Sequence, residues 1–371
     1  MKTSSPGSLK TDIQDRDLCI NCGACTELCP YFKSYKGKIA MIFNCTLGQG
    51  KCFAHCPKAE VDLDELSLFF HQKPYDGHPL GHFKSIHVSR AGETMARVLF
   101  QNGGTVSSLI SCALNNGVID HAILTDKNGI LPEPRLVNTT EDTLHCATSK
   151  YLAAPTLGEL NKAMQNKLSN IGLVGTPCQM IAAALTRMNP MNQDGFKDPV
   201  SLSIGLFCTW ALDTRKFMTF ISSKMEIRDI KRMDIPPPPA GIAVIEKDRE
   251  IINIPLEDIR PLILEGCSVC PDMTAEFSDI SVGTFEDNPE WNTLIIRTEK
   301  GEQLVEDACK KGYLTLSDLP EKSLDHLLSG AGMKKKKAIL KAGTEGLMNT
   351  LDNSKPAVLR MPESLIKTIT K

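Results

Sequence analysis

Four cysteines, Cys19, Cys22, Cys25 and Cys29, with Pro30 directly after them, restrict this chain more than any other feature. The spacing C-x2-C-x2-C-x3-C-P wraps three thiolates around one iron-sulfur cubane and sends the fourth to a neighbouring cluster. Paired C-x2-C units also serve zinc, but three successive three-residue steps and a trailing Cys-Pro fit a tetrahedral zinc site poorly. Cys45, Cys52 and Cys56, followed by Pro57, form the second half of the module. Cys56 then completes the first cluster, and Cys29 joins Cys45 and Cys52 at a second one. That second site is one ligand short. A cysteine from elsewhere, His55 or Asn44 could supply the eighth ligand, or the site could hold three irons or stay empty.

Seven of the fourteen cysteines lie between Cys19 and Cys56, and the other seven are spread from Cys112 to Cys309. A small N-terminal module shaped by metal rather than by a core is therefore expected ahead of a larger domain. With 371 residues, 42% of them hydrophobic, the chain can bury a substantial core there. The start MKTSSPGSLK has no apolar stretch of the signal-peptide kind, and no later run reaches the length of a membrane span. In the reducing cytoplasm, the compartment this implies, clustered cysteines hold metals or do redox work rather than form disulfides. A net charge of -2 predicts no nucleic-acid partner, and the run Lys334 to Lys337 reads as a solvated helix face.

Three segments are expected: a ferredoxin-like module over residues 1–75, a larger domain over 76–330, and a C-terminal helix with a loose tail over 331–371. The stretch His71 to Phe83, rich in Pro, Gly and His, reads as a linker. Beyond it, apolar runs alternate with helical patterns. SIHVS precedes a helix over Glu93 to Gln101, and Thr105 to Asn116 forms another, ended by Gly117. Ala122 to Thr125 reads as a strand followed by a loop with Pro132 and Pro134. Ile171 to Gly175 and Val200 to Phe207 are further strands, separated by a helix over Gln179 to Met188. The alternation predicts an α/β domain (α+β overall) with a mainly parallel or mixed sheet. The prolines at 236–239 read as a rigid extended connector.

In the larger domain Cys178 and Cys208 each sit just past the C-terminal end of a predicted strand, the edge where open α/β sheets gather ligands. With the pair Cys267 and Cys270 they could hold another four-iron cluster; buried free cysteines or a regulatory dithiol are the plainer alternatives. Gly103 and Gly104 open the helix that starts at Thr105, where backbone amides can approach a phosphate, although a structural turn is the plainer reading. No G-x-G-x-x-G fingerprint for a nicotinamide nucleotide is present. Lys150 and Tyr151 could bind phosphate or flavin, a surface lysine being the default. Cys112, Cys146 and Cys309 read as packing residues.

At these residues the sequence resembles the beta subunits of coenzyme F420 hydrogenases and dehydrogenases. The likeness runs from about His82 to Ile339, through FKSIHVSR, NGGTVSSLISCALNNGVIDHAIL, SKY, GTPCQ, GLFC, GCSVCPDMTAEFSDISVGTF and EWNTLIIRTEKG. An N-terminal two-cluster ferredoxin module resembles dehydrogenase input subunits and hydroxymethyl chlorophyll reductase-like relatives. The resemblance implies FAD in the larger domain, with Gly103, Gly104, Thr105, Lys150, Tyr151 and Thr176 near it, and a four-iron cluster on Cys178, Cys208, Cys267 and Cys270. It implies an electron-transfer oxidoreductase that links a hydride carrier to clusters. The partners implied are a hydrogenase, formate dehydrogenase or heterodisulfide-reductase-like subunit, or ferredoxin. Where carriers of the family meet glycine and lysine after a Met-Asp-Ile segment, this chain has Met233, Asp234 and Ile235 followed by four prolines, which offer an anionic tail neither charge nor donor. The carrier is thus coenzyme F420 or another low-potential donor. A ferredoxin-dependent reductase of a small organic substrate and a non-catalytic electron-transfer adaptor are the competing readings.

Overall fold

The computed structural model describes residues 3–96, 98, 100–248, 250–350 and 357–371. In the N-terminal module β1 (Phe32–Tyr35) and β2 (Lys38–Met41) form an antiparallel hairpin. The larger domain takes β3 (Ser85–Ala91), β4 (His121–Asn128), β5 (Leu131–Val137), β6 (Ile171–Gly175) and β7 (Val200–Leu206) into one sheet. A separate antiparallel sheet follows, of β8 (Arg232–Asp234), β9 (Ile242–Glu246) and β10 (Ile251–Pro255). The chain then returns with β11 (Ile280–Thr284), β12 (Asn292–Ile296) and β13 (Leu314–Asp318), and β14 (Met348–Asn349) pairs with β15 (Leu359–Arg360) near the C-terminus.

The main sheet has eight strands in the order β13-β3-β12-β11-β7-β6-β4-β5. Its centre, β11-β7-β6-β4, is parallel and its flanks are antiparallel. Helices cover both faces, which is why β6 and β12 are buried along their whole length and read as continuous apolar runs. On one face the helices Thr105–Asn115 and Glu299–Lys310 pack over Leu202, Ile204, Val282 and Leu294. On the other, Thr156–Gln165 and Pro177–Arg187 pack over Ile123, Ile171 and Leu173. The latter core also takes Ile20, Cys22 and Ala24 from the N-terminal module, so the cysteine-bearing loop is built into the larger domain.

Several expectations change. The segment after β4 is a strand, because β5 is the sheet's edge, where Pro132 and Pro134 withhold no ladder donor from a second neighbour. The expected helix over Glu93 to Gln101 is only a 3-10 turn at Glu93–Met95, and its residues 97 and 99 lie outside the described ones. The proline run turns back instead of extending: Ala240 N donates to Pro237 O (3.2 Å) and Pro238–Pro239 is cis. The segment 71–83 is packed, with Tyr75 and Leu80 buried, and Arg297 donates to the carbonyls of Leu80 (2.7 Å) and His82 (2.8 Å). The tail is also anchored where it is described. Val358, Leu359 and Met361 are buried in the core that holds Phe32, Phe53 and Val61 of the module, and Arg360 pairs with buried Glu60. Residues 351–356 lie outside the described ones.

The lysine run departs most from expectation. It lies on the helix Glu321–Thr344, whose buried face carries Ala331, Lys335, Ala338, Ile339 and Ala342. Lys335 is 1% exposed and pairs with Glu276 at 2.8 Å, while donating to Tyr75 Oη (2.8 Å) and His78 O (2.7 Å). Four consecutive lysines cannot all face water when the helix packs on one side, and here Lys337 alone is fully exposed.

Candidate functional site

Cys178 lies in the first turn of the helix Pro177–Arg187, which follows β6 directly. A capping box between Thr176 and Gln179, with Pro177 at the first helical position, fixes that start. Cys208 follows β7, and Cys267 and Cys270 lie in and just after a 3-10 turn at Glu265–Val269. The four thiols converge, since the Cys208 thiol feels the charges of Cys267, Cys178 and Cys270, and Cys178 feels those of Cys270 and Cys267. Burial pushes Cys178 up to about 12 and raises Cys208 and Cys267 as well. Such thiols stay protonated at neutral pH unless a metal takes the proton's place. Neighbouring donors suit bound thiolates: Thr176 Oγ1 is 3.3 Å from Cys178 Sγ, and Ala211 N donates to Cys267 Sγ at 3.4 Å. Among the described residues no three His, Cys, Asp or Glu side chains close on the point a single ion requires. A multi-iron cluster holds its thiolates farther apart than one ion does.

In the module, Cys19, Cys22, Cys25 and Cys56 form a second convergent set around a mostly apolar cavity with Leu9, Ile13, Ile20, Ile39 and Lys58. Burial raises all four thiols, Cys56 to about 12. A third set follows, in which Cys52, pushed up to about 11 by burial, feels Cys29 and Cys45. The sets stand in series: Cys25 feels Cys52 on one side, and Cys22 feels Cys178 on the other. No larger-domain cysteine among the described residues joins the third set. Cys112, Cys146 and Cys309 belong to the sheet core, as packing residues should. His55 is buried, its Nδ1 lacks a hydrogen-bond partner, and burial beside Lys51 lowers its pKa to about 4. Asn44 is exposed.

Close backbone approach joins the first two sets. Leu157 N donates to Cys22 O (2.9 Å), Asn21 Nδ2 to Ala153 O (3.3 Å), and Asn161 Nδ2 to Thr26 O (2.7 Å). Gly23, at φ +88°, leaves no room for a side chain, since a Cβ there would lie 2.3 Å from Pro155 O. Gly266 meets Leu18 O in the same way, at 2.2 Å. Two lysines flank the larger-domain set, and both were missed from sequence. Lys58, 3% exposed, acts on Cys56, Cys178 and Cys267. Lys334 donates to Cys208 O (2.5 Å) and Asp272 O (2.7 Å). Burial works to lower its pKa, but Cys270, Cys208, Asp272 and Cys267 outweigh that and hold it above its ordinary value.

Most residues expected near a flavin gather a short way along the same sheet edge. Gly104, at φ +76°, is the N-cap of the helix Thr105–Asn115 and brings no capping side chain of its own. Thr105 N donates to Asn292 Oδ1 (3.3 Å), and its hydroxyl bonds Ser89 Oγ (2.8 Å). A Cβ at Gly103 would meet Asn292 and Trp291. Gln101 ties this corner to Lys150 and Tyr151: it accepts from Ser149 N (3.0 Å) and donates to Asp234 (3.0 Å), which also accepts from Tyr151 Oη (2.8 Å). Lys150 donates to Cys146 O, and burial lowers its pKa to about 8. Leu212 N donates to Tyr151 O (2.8 Å), which brings this corner to the Cys208–Leu212 loop. Thr176 stands apart, at the cysteine set. The fit to a flavin rests on a helix start whose N-cap is a glycine, and on Gly103 beside it.

A family model described as "Coenzyme F420 hydrogenase/dehydrogenase, beta subunit N-term" matches residues 86–161, and the corresponding C-terminus model matches 168–322. A "4Fe-4S binding domain" model matches 13–31. An uncharacterized protein of Methanocaldococcus jannaschii is 30% identical over 338 residues, 84% of this chain and 92% of the relative. For coenzyme F420 hydrogenase subunit beta of Methanothermobacter thermautotrophicus the identity is 27%, over 65% of this chain and 87% of the relative. An F(420)H(2) dehydrogenase subunit of Methanosarcina mazei is 29% identical over 79% of this chain and 82% of its own length. A chain of the F420-reducing [NiFe] hydrogenase complex from Methanosarcina barkeri shares the fold, with TM-score 0.66 at 24% identity over 75% of this chain and 97% of that one. Among the described residues no helix is long and apolar enough to cross a membrane. With its four-iron binding module and this mixed sheet, the chain belongs to the coenzyme F420 hydrogenase/dehydrogenase beta subunit family.

Proposed function

We propose that the chain is a cytoplasmic iron-sulfur flavoprotein subunit that exchanges electrons between a hydride carrier, coenzyme F420 or another low-potential donor, and a redox partner. The observation that carries this is the series of three cysteine sets running from the flavin corner through the module. Cys178, Cys208, Cys267 and Cys270 would hold one four-iron cluster, Cys19, Cys22, Cys25 and Cys56 a second, and Cys29, Cys45 and Cys52 the third. The helix start at Thr105, with Gly103 and Gly104, would take a phosphate of FAD, and Lys150 and Tyr151 would border it. When bound, FAD supplies the switch between two-electron and one-electron transfer, and the clusters supply one-electron relay.

The chain's own part is geometric and electrostatic. Burial keeps water from the thiolates, Ala211 N–H and the Thr176 hydroxyl donate toward sulfur, and Lys58 and Lys334 place positive charge beside the larger-domain set. Asn21, Gly23, Asn161 and Gly266 hold the module against that set at fixed distance. Anaerobic purification with iron, sulfide and flavin measured per chain tests the reading: about twelve irons and one FAD are expected for three four-iron clusters. Stoichiometric zinc without flavin would refute it. Cys267→Ser is expected to abolish one cluster's electron paramagnetic resonance signal and spare the module's; unchanged spectra would remove the larger-domain cluster from the scheme.

A further inference from the structure

We propose that the face formed by the β1–β2 hairpin and the loop after it, residues 31–51, is the docking surface for an acidic electron-carrier protein. The proposal takes from the functional reading only that the partner is redox-active; the surface itself is argued from shape and charge. Cys45 lies in this loop and is half-buried, and its set meets the series through Cys52 beside Cys25 of the middle set, while Cys178 stands beside Cys22 on that set's other side. The third set therefore lies at one end of the series, close to this face.

Four of the ten exposed large apolar side chains of the described residues crowd into it: Tyr35 (66% exposed), Ile42 (51%), Phe43 (63%) and Leu47 (63%). Phe43 and Leu47 flank Cys45 two residues away on either side. Exposed apolar side chains gathered in one segment mark an interaction site. Charge identifies the partner. From Leu28 to Ala59 the sequence has no Asp or Glu, and Lys33, Lys36, Lys38 and Lys51 are exposed around the apolar centre. The whole chain carries -2, so this positive field is local and complements a negatively charged protein. A second copy of the chain fits poorly, because a two-fold interface would set these lysines against themselves.

The face is also preformed. Arg215 donates to Tyr35 O (3.3 Å), Gln14 to Ile39 O (3.2 Å), and Gly37, at φ +73°, sits against Thr214. The rings of Tyr31 and Phe43 meet edge to face at 6.1 Å. Little ordering is needed on binding, as suits the small, transient interfaces of electron transfer.

Calorimetric titration of the intact, cofactor-loaded protein with an acidic two-cluster ferredoxin tests this without turnover. One-to-one binding is expected that weakens at least about tenfold between about 25 and about 250 mM NaCl. Lys33→Glu combined with Lys36→Glu should weaken binding at least about tenfold at low salt and flatten the salt dependence. Phe43→Ser with Leu47→Ser should weaken it while keeping that dependence. A basic cytochrome c should not bind. The proposal is overturned by absent binding at low salt, by indifference to the lysine reversals, by equal binding of the basic carrier, or by sedimentation showing that the Phe43 variant dissolves a dimer. Iron and sulfide assays on the same preparations separate the two readings. Binding without iron refutes the clusters and not the surface, and full iron without binding refutes the surface alone.

Discussion

Lys334→Met is expected to lower the reduction potential of the cluster proposed on Cys178, Cys208, Cys267 and Cys270. The side chain is half-buried, and its ammonium donates to two carbonyls, 2.5 Å from Cys208 O and 2.7 Å from Asp272 O. The separation between an ammonium fixed there and a cluster that those thiolates would hold is taken as about 7 Å. At an effective dielectric constant of about 20, one elementary charge at that distance acts with about 2.4 kcal/mol. Reduction adds a negative charge, so the ammonium favours the reduced form. Removing it shifts the potential downward by roughly 100 mV, taking about 59 mV and about 1.4 kcal/mol per tenfold change for one electron. Anaerobic redox titration followed by electron paramagnetic resonance measures this directly. Lys334→Arg, which keeps the charge, should restore most of the potential, and iron content should be the same in all three proteins. An unchanged or raised potential in the Met variant at full iron content would refute the electrostatic argument.

Gly23→Ala forces a side chain into a left-handed backbone position, at about 1–2 kcal/mol, and against Pro155 O. The melting temperature should fall, and electron transfer between the first two sets should slow at unchanged iron content, measured by stopped-flow reduction. Arg360→Met strands Glu60, which is 2% exposed in its side chain, and should cost about 3–5 kcal/mol in denaturant unfolding. Adding Glu60→Gln should recover part of that loss. The His71 pKa is lowered to about 4, chiefly by burial, so the unfolded chain takes up a proton near pH 6.5 that the fold refuses. Stability should therefore decline as pH falls from about 6.5 toward 4, by about 2 kcal/mol after allowance for partial exposure. In His71→Gln this part of the pH dependence should vanish.

Much of the site was legible because its chemistry depends on spacing and on strand ends. The cysteine intervals, the runs Ile171 to Gly175 and Val200 to Phe207, and the placement of Cys178 and Cys208 after them are local properties that the sequence carries directly. What escaped depends on context. Pro132 and Pro134 read as a loop because only the sheet order reveals that β5 is an edge. Lys334 and Lys335 looked solvated because four like charges mask a period. Ala331, Lys335, Ala338, Ile339 and Ala342 recur at helical spacing, and that pattern was available to argue Lys335 inward. Lys58 had no such signal, for its burial follows from docking of the module on Gly266 and the Ala153–Asn161 segment. The eighth ligand is illegible in spacing for the same reason; His55 is buried and Asn44 exposed.

The contact of residues 357–361 with the module has a consequence for biosynthesis. The core that closes over Phe32, Phe53 and Val61 includes Val358, Leu359 and Met361, so that flank of the module stays open until some 300 further residues have left the ribosome. The module's core is therefore completed by a segment made long after its cysteines, and its final stability waits on that late contact.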